Sequence, residues 1–356
     1  MAYTTITDPS AYFQTTLYTG NETARTITND GNSDLQPDFV WIKKRSNTGS
    51  HSLYDSTRGG DLALQSNVNT AEVDDNSQLT GFSSDGFTLG NESGASSQPY
   101  PTTNSNNQTY VAWQWKDNGG TTASNSSGSI TSTVQANTTA GFSIVTYTGN
   151  GSSGATVGHG LGTVPDTIIL KCRNATENWF VNTPIAGGVG YMMLNQTNAD
   201  SGANSSVWNS TTPTSTLFTL GNSGGVNGNN NTYVAYCFKS IQGYSKFGSY
   251  TGNGDSDGPF VYTGFKPRFF MLKGTGNISS WCMYDTARDP INRASQKIWA
   301  NEYNAEQSTG AMDFLSNGIK MRINDNDFNG SGYQYRYMAF AENPLVATNG
   351  VPTTAR

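Results

Sequence analysis

Charge is scarce in this chain. Only 13% of its 356 residues are Asp, Glu, Lys or Arg, about half the ~25% common in soluble proteins. Three cysteines and two histidines are fewer still. Cys172, Cys237 and Cys282 are too few and too scattered for a disulfide framework or a tetrahedral zinc site. Cys172 follows Ile168-Ile169-Leu170 and Cys237 lies in Tyr233-Val234-Ala235-Tyr236-Cys237-Phe238, so buried free thiols are expected, a Cys172–Cys237 bridge being the alternative. Basic runs stop at Lys43-Lys44-Arg45, read as a solvated strand end, and the net charge is −6. Nucleic-acid binding rests on clustered basic side chains and is not expected. No apolar stretch nears the ~18–20 residues that span a bilayer. Met1-Ala2-Tyr3-Thr4-Thr5 has neither the basic nor the apolar region of a secretory leader, so synthesis in a cytosol without export by that route is expected.

Glycine (40 residues), Asn, Ser and Thr are abundant, and aromatic residues make up 12%. Aromatics at that level with low net charge argue against disorder. The polar residues favour turns, which predicts many short strands. The length suits two or three domains.

Internal repetition is the strongest signal. Pro37-Asp38-Phe39-Val40-Trp41-Ile42-Lys43, Pro165-Asp166-Thr167-Ile168-Ile169-Leu170-Lys171 and Pro267-Arg268-Phe269-Phe270-Met271-Leu272-Lys273 each run from proline to lysine. Tyr-Thr-Gly-Asn precedes each, at Tyr18–Asn21, Tyr147–Asn150 and Tyr250–Asn253. Closing segments follow at Tyr110-Val111-Ala112-Trp113, Tyr233-Val234-Ala235-Tyr236 and Tyr337-Met338-Ala339-Phe340, which makes Pro37, Pro165, Pro267, Tyr110, Tyr233 and Tyr337 the repeat anchors. Leu53-Tyr54-Asp55-Ser56-Thr57-Arg58 reappears as Met283-Tyr284-Asp285-Thr286-Ala287-Arg288, and His51, Trp179 and Trp281 each lie 14 residues after a proline.

The runs after proline are apolar at consecutive positions, as in strands covered on both faces, with proline expected at the first strand residue. The closing segments alternate, Val111 and Trp113 facing away from Tyr110, Ala112 and Gln114. Asp85-Gly86 and Asn317-Gly318 between apolar residues predict hairpins. Helical periodicity is confined to one candidate, Ala294 to Glu306, with irregular structure as its equal alternative. The expected fold is all-β: three tandem, diverged antiparallel β-sandwich modules of jelly-roll type. Their boundaries are 1–117, 141–240 and 241–356, the last with an extended C-terminal tail. Residues 118–140, almost wholly Gly, Ser, Thr and Asn, read as a linker or an extended arm.

Catalytic constellations are hard to assemble. His159 sits in Gly158-His159-Gly160-Leu161-Gly162, and neither it nor His51 comes with a recognisable nucleophile and carboxylate. Asp325-Asn326-Asp327-Phe328-Asn329-Gly330 starts like a calcium loop, but Arg336 stands where a bidentate Glu is needed. Gly252 to Gly258 reads the same way, as a polar turn. Asp74, Asp75 and Asp85 lack the facing partner a glycosidase needs. No catalytic residue, metal site or cofactor is expected. Trp179 and Trp281 are the glycan-stacking candidates, with a core position as their other reading.

Met1 to Ile6 with Asp8-Pro9-Ser10-Ala11-Tyr12-Phe13, Gly128 to Val134 through Ala140 to Val145, Val157 to Gly162, and Tyr337 to Pro344 together resemble virion proteins of tailed bacteriophages, marine ones especially. Those proteins are commonly labelled tail-fibre-like or concanavalin/lectin-like repeat proteins. The resemblance covers nearly the whole chain and transfers no site residue. It implies a concanavalin-like form of the module and a non-catalytic virion structural protein, tail-associated or head-decorating. The implied partners are other virion proteins, further copies of this chain and host-surface glycans. A soluble lectin and a polysaccharide-degrading enzyme are the competing readings.

Overall fold

The apolar runs after the three prolines become the middle strands of three antiparallel sheets. A computed structural model describes residues 4–74, 77–92, 102–185 and 188–346. Met1 to Tyr3, Asp75 and the expected C-terminal tail beyond residue 346 lie outside the described residues. In the first sheet, neighbouring strands are Phe13–Thr19, Thr109–Trp115, Phe39–Lys44, Ser52–Asp55 and Gly59–Leu64. The second repeats this order as Phe142–Thr148, Thr232–Phe238, Thr167–Cys172, Trp179–Ile185 and Gly188–Met193. The third does so as Ser245–Thr251, Gln334–Pro344, Phe265–Gly274, Cys282–Asp285 and Ala294–Trp299. The five positions are called here the lead, closing, proline-led, fourth and fifth strands. In the stretch 118–140, Ala123–Asn125 and Ser132–Asn137 extend the second sheet beyond its lead strand. Helix among the described residues is limited to the single turns Ser205–Trp208 and Gly224–Asn227 and a 3-10 turn at Pro9–Ala11.

Strand alternation sends side chains to two different cores. Val111, Trp113 and Trp115 face a central core, and so do Val234, Tyr236 and Phe238 and, in the third sheet, Met338 and Phe340. The opposite faces bury Tyr110 and Ala112, Tyr233 and Ala235, and Tyr335 and Ala339 in three separate outer clusters. Short outer strands contribute to those clusters, among them Arg25–Ile27 paired with Gly86–Leu89, Ala155–Gly158 with Leu217–Leu220, and Phe260–Tyr262 with Gly318–Met321. At the middle of the central core Trp115, Phe238 and Phe340, one ring from each sheet, form a triangle with centroid separations of 6.5, 5.5 and 6.0 Å.

Four expectations need correction. In the third sheet the residue opposite the end of the proline-led strand is Tyr335, paired with Gly274, just as Tyr110 pairs with Lys44 and Tyr233 with Cys172. The equivalent of Tyr110 and Tyr233 is therefore Tyr335, not Tyr337. A two-residue slip keeps every side chain on the same face, so the alternating pattern could not distinguish them. Pro37 and Pro165 stand two residues before their strands, whereas Pro267 lies inside Phe265–Gly274 with a register shift on either side. A bulge is where a strand tolerates a residue with no N–H. Both hairpins form one residue out of the expected phase: Ser83 pairs with Gly86 and Leu315 with Gly318, leaving Ser84-Asp85 and Ser316-Asn317 as the loops. Glycine is needed at 86 and 318 because a Cβ there would lie 2.0 Å from the Ile27 carbonyl oxygen and 2.3 Å from that of Val261. Finally, Ala294 to Glu306 is not helical, and the irregular alternative holds only for its second half, 300–306. Ala294–Trp299 is a strand paired with Cys282–Asp285 and Gln307–Leu315, tertiary pairing overriding local propensity.

Because one core is shared by all three sheets, denaturant titrations followed by tryptophan fluorescence and far-ultraviolet circular dichroism should superimpose as one transition. Trp115→Ala should lower that transition by about 3–5 kcal/mol. Three separable transitions would contradict the shared core.

Candidate functional site: three seams between the sheets

Each Tyr-Thr-Gly-Asn motif folds into the same corner. Tyr18, Tyr147 and Tyr250 stack on Tyr110, Tyr233 and Tyr335 with centroids 5.1, 5.0 and 4.9 Å apart. The stacked partners accept hydrogen bonds at their hydroxyls from the backbone N–H of Ser105, Gly228 and Gly330. The motif's glycines have those same three loops pressed against them: a Cβ on Gly20, Gly149 or Gly252 would sit 2.2–2.4 Å from a loop carbonyl oxygen. The N–H of Asn21, Asn150 and Asn253 donates to the side-chain oxygen of the buried Asn104, Asn227 and Asn329. Nothing in the linear pattern marked these last three asparagines, because their bonds join segments about 75–85 residues apart. The two stretches considered as calcium loops meet here. Asn253 Oδ1, the Asp255 carbonyl and the Ile323 carbonyl converge on the Asn329 amide nitrogen, at 2.9, 2.6 and 3.0 Å.

Between sheets the backbone repeats one arrangement cyclically. Glu177 N–H donates to the Asn69 carbonyl and Glu72 N–H to that of Arg173, joining the first sheet to the second. Ser279 with Thr197 and Asp200 with Thr275 join the second to the third, and Gly49 with Tyr303 and Glu306 with Arg45 join the third back to the first. The residue 14 positions after each proline adds a ring N–H to a carbonyl at the end of the neighbour's fifth strand. Trp179 Nε1 reaches Gln65 at 2.8 Å, Trp281 Nε1 reaches Met193 at 2.9 Å, and His51 Nε2 reaches Trp299 at 2.9 Å. Trp41 Nε1 donates to His51 Nδ1 at 2.8 Å, so His51 carries its proton on Nε2. The two tryptophans considered for glycan stacking are thus placed inside the central core, 0% and 5% exposed.

The lysine ending each proline-led motif is buried at the same level. Lys171 Nζ donates to the carbonyls of Cys172, Glu177 and, across the seam, Asn69; Lys273 Nζ donates to those of Ser279 and, across the seam, Thr197. Lys43 Nζ donates to the Lys44 carbonyl. Burial pushes the Lys43 ammonium down to about 7, and Lys171 and Lys273 to about 8. The run Lys43-Lys44-Arg45 is accordingly not a solvated strand end, since Lys43 is buried and Arg45 pairs with Glu306.

Two seams carry charge at their centre. Asp55 and Arg58, both fully buried, pair at 2.5 Å; Glu72 bridges Arg58 and Arg173, and Tyr236 of the second sheet donates its hydroxyl to Asp55 at 2.7 Å. Asp285 and Arg288 do the same between the third and first sheets, with Glu306 bridging Arg288 and Arg45 and Trp113 Nε1 donating to Asp285 at 3.0 Å. The Arg288 guanidinium holds the Asp285 carboxyl below the usual range despite burial. At the second-to-third seam the sequence offers Thr183 and Ala186 for the acid and base, and Met338 for the ring donor.

The other chemical candidates are absorbed locally. His159 is buried, with Nε2 on the Thr214 carbonyl and Nδ1 accepting from Leu161 N–H. Cys172, Cys237 and Cys282 are buried free thiols. Cys172 lies opposite Tyr233, four residues from Cys237 along the closing strand, roughly 13 Å away at ~3.3 Å per residue and beyond disulfide reach. Asp85 accepts the Leu35 N–H, and Asp74 is exposed. Asp38, immediately after Pro37, gathers the N–H groups of Asp117, Gly119 and Gly120 as the chain leaves the first sheet. Burial, with Asp38 close by, raises Asp117 to about 9.

These bonds define an all-β protein whose three sheets are closed into a ring around one aromatic core. Residues 8–344 match the family described as "Domain of unknown function (DUF7483)", and the chain belongs to that family. No curated protein and no solved structure matches it.

Arg58→Met strands a buried carboxylate and should cost about 3–5 kcal/mol, most of it regained in the double variant Asp55→Leu/Arg58→Met, as read by urea denaturation. His51 is held neutral, its pKa pushed well below the ordinary value by burial. Its contribution to stability is therefore complete above about pH 6.5 and declines as pH falls below it. Between pH 7 and 5 the wild type should lose up to about 2 kcal/mol more than His51→Gln, at ~1.36 kcal/mol per unit. Equal acid sensitivity of the two proteins would remove His51 from this role.

Proposed function

We propose that this chain is a non-catalytic structural protein of a tailed-phage particle, displayed on the tail or head surface. Its three sheets with their outer strands are, in this reading, three diverged copies of one jelly-roll, concanavalin-like sandwich. One observation carries the proposal: the ring closed by repeated backbone bonds around the Trp115, Phe238 and Phe340 triangle. His51, Lys171, Lys273 and the Asp55–Arg58 and Asp285–Arg288 pairs are engaged at the seams that close that frame, which suits a rigid building block. The sequence resemblance supplies the particle. Mass spectrometry of purified phage particles should find the chain at a fixed copy number, and its absence from particles would end this reading.

Attachment to host-surface glycans is the second reading, favoured by one surface feature. Phe260 and Tyr262 are 45% and 48% exposed on either side of the buried Val261, and therefore share one face of the strand Phe260–Tyr262. Tyr262 lies opposite Gly318, which has no side chain to cover it. Two half-exposed rings on one face can meet sugar rings, with the Lys246 ammonium 5.1 Å from the Tyr262 centroid beside them, and several copies on a particle would add avidity. On a glycan array displaying the chain multivalently, Phe260→Ala/Tyr262→Ala should abolish binding without lowering Tm. Retained binding would exclude this face.

A further inference from the structure

The three seams share their backbone bonds but not their filling. Between the first and second sheets, Phe39 stacks on Tyr236 with centroids 4.4 Å apart and planes at 28°. Between the third and first, Phe269 meets Trp113 edge-on at 5.7 Å. Pairing places Thr167 opposite Phe238 as Phe39 is opposite Trp115 and Phe269 opposite Phe340, so Thr167 is the equivalent of those phenylalanines. Met338 likewise stands three residues after Tyr335, where Trp113 and Tyr236 stand relative to Tyr110 and Tyr233. At the second-to-third seam, then, threonine and methionine replace two rings. A cavity of about 100 Å³, partly open to solvent, lies there against Thr167, Ile169, Met192, Met271, Trp281 and Met338. Asn182 also lines it. This residue is 2% exposed; its oxygen accepts the Ile168 N–H, while its Nδ2 has no partner among the described residues.

We infer that this cavity is a binding site for a small aromatic molecule bearing a hydrogen-bond acceptor. The ring takes the space that a phenol or an indole fills in the sister seams, and the acceptor satisfies Asn182. Asp166 and Arg336 line it beside the methionines, but most of its wall is apolar, and apolar walls of this size bind small aromatic rings. Three methionines in the wall allow it to adjust to ring shape, and a buried amide without a partner favours a ligand that supplies one. The site does not depend on the particle role proposed above.

Acetophenone, which carries a carbonyl, and ethylbenzene, which does not, are the probes. With the full chain, saturating acetophenone should raise Tm by about 1–3 °C and ethylbenzene by less. Thr167→Phe, which restores the sister arrangement, should raise Tm without ligand and weaken acetophenone binding at least tenfold in calorimetric titration. If Thr167→Phe does not fold, Met338→Tyr serves in its place, with the same expectation. Asn182→Leu should erase the preference for acetophenone over ethylbenzene. No Tm response of the wild type to either probe, or an unchanged acetophenone response in the ring-restoring variants, would overturn the site. Equal responses to the two probes in the wild type would overturn the role of Asn182.

Discussion

The Trp115, Phe238 and Phe340 rings can leave water only if three sheets converge on them. Each sheet has an outer cluster of its own, but its inner face offers large rings that no strand of the same sheet covers. Burying that much aromatic surface is strongly favourable, and it obliges the sheets to meet edge to face in a closed cycle. The seam bonds follow from that obligation. Where edges and loops converge, backbone N–H and C=O groups lose water and must find partners, and the same bonds, repeated at each seam, provide them.

The indole and imidazole positions 14 residues after each proline show how strictly geometry governs chemistry here. Tryptophan and histidine are dissimilar side chains, yet each can aim one ring N–H at a carbonyl of the adjoining sheet. The histidine can do so only in one neutral tautomer, which Trp41 fixes by donating to its other nitrogen. Lys43, Lys171 and Lys273 show a related compromise. Their ammonium groups are buried at an electrostatic cost, and Lys171 and Lys273 offset it by donating to three and two carbonyl oxygens drawn from two sheets.

Much of this was legible in the residues. The proline-led strands stood out because a strand covered on both faces reads as an unbroken apolar run, and the closing strands because two different cores impose alternation. Tyr337 misled because a slip of two is invisible to a period of two; only ladder pairing reveals Tyr335. The strand Ala294–Trp299 was hidden because its first four residues, Ala294 to Lys297, have no strong β preference. Asn104, Asn227 and Asn329 could not be foreseen, since a side chain bonding to a backbone far away in sequence leaves no local trace. The seams were illegible for the same reason. Asp55-Arg58 and Asp285-Arg288 could be matched as repeats, but that each pair receives a Tyr236 or Trp113 donor from a different sheet depends on the closure of the ring.

Closure by a single covalent chain also has a genetic corollary. A homotrimer with this layout would be bound by symmetry to carry any substitution at all three junctions simultaneously. Here two junctions hold a guanidinium–carboxylate centre, while at the third the sequence has Thr183 and Ala186 in those positions and Thr167 and Met338 where the sister junctions have rings. Linking the repeats in tandem lets one junction drift toward a separate task while the other two keep the assembly standing.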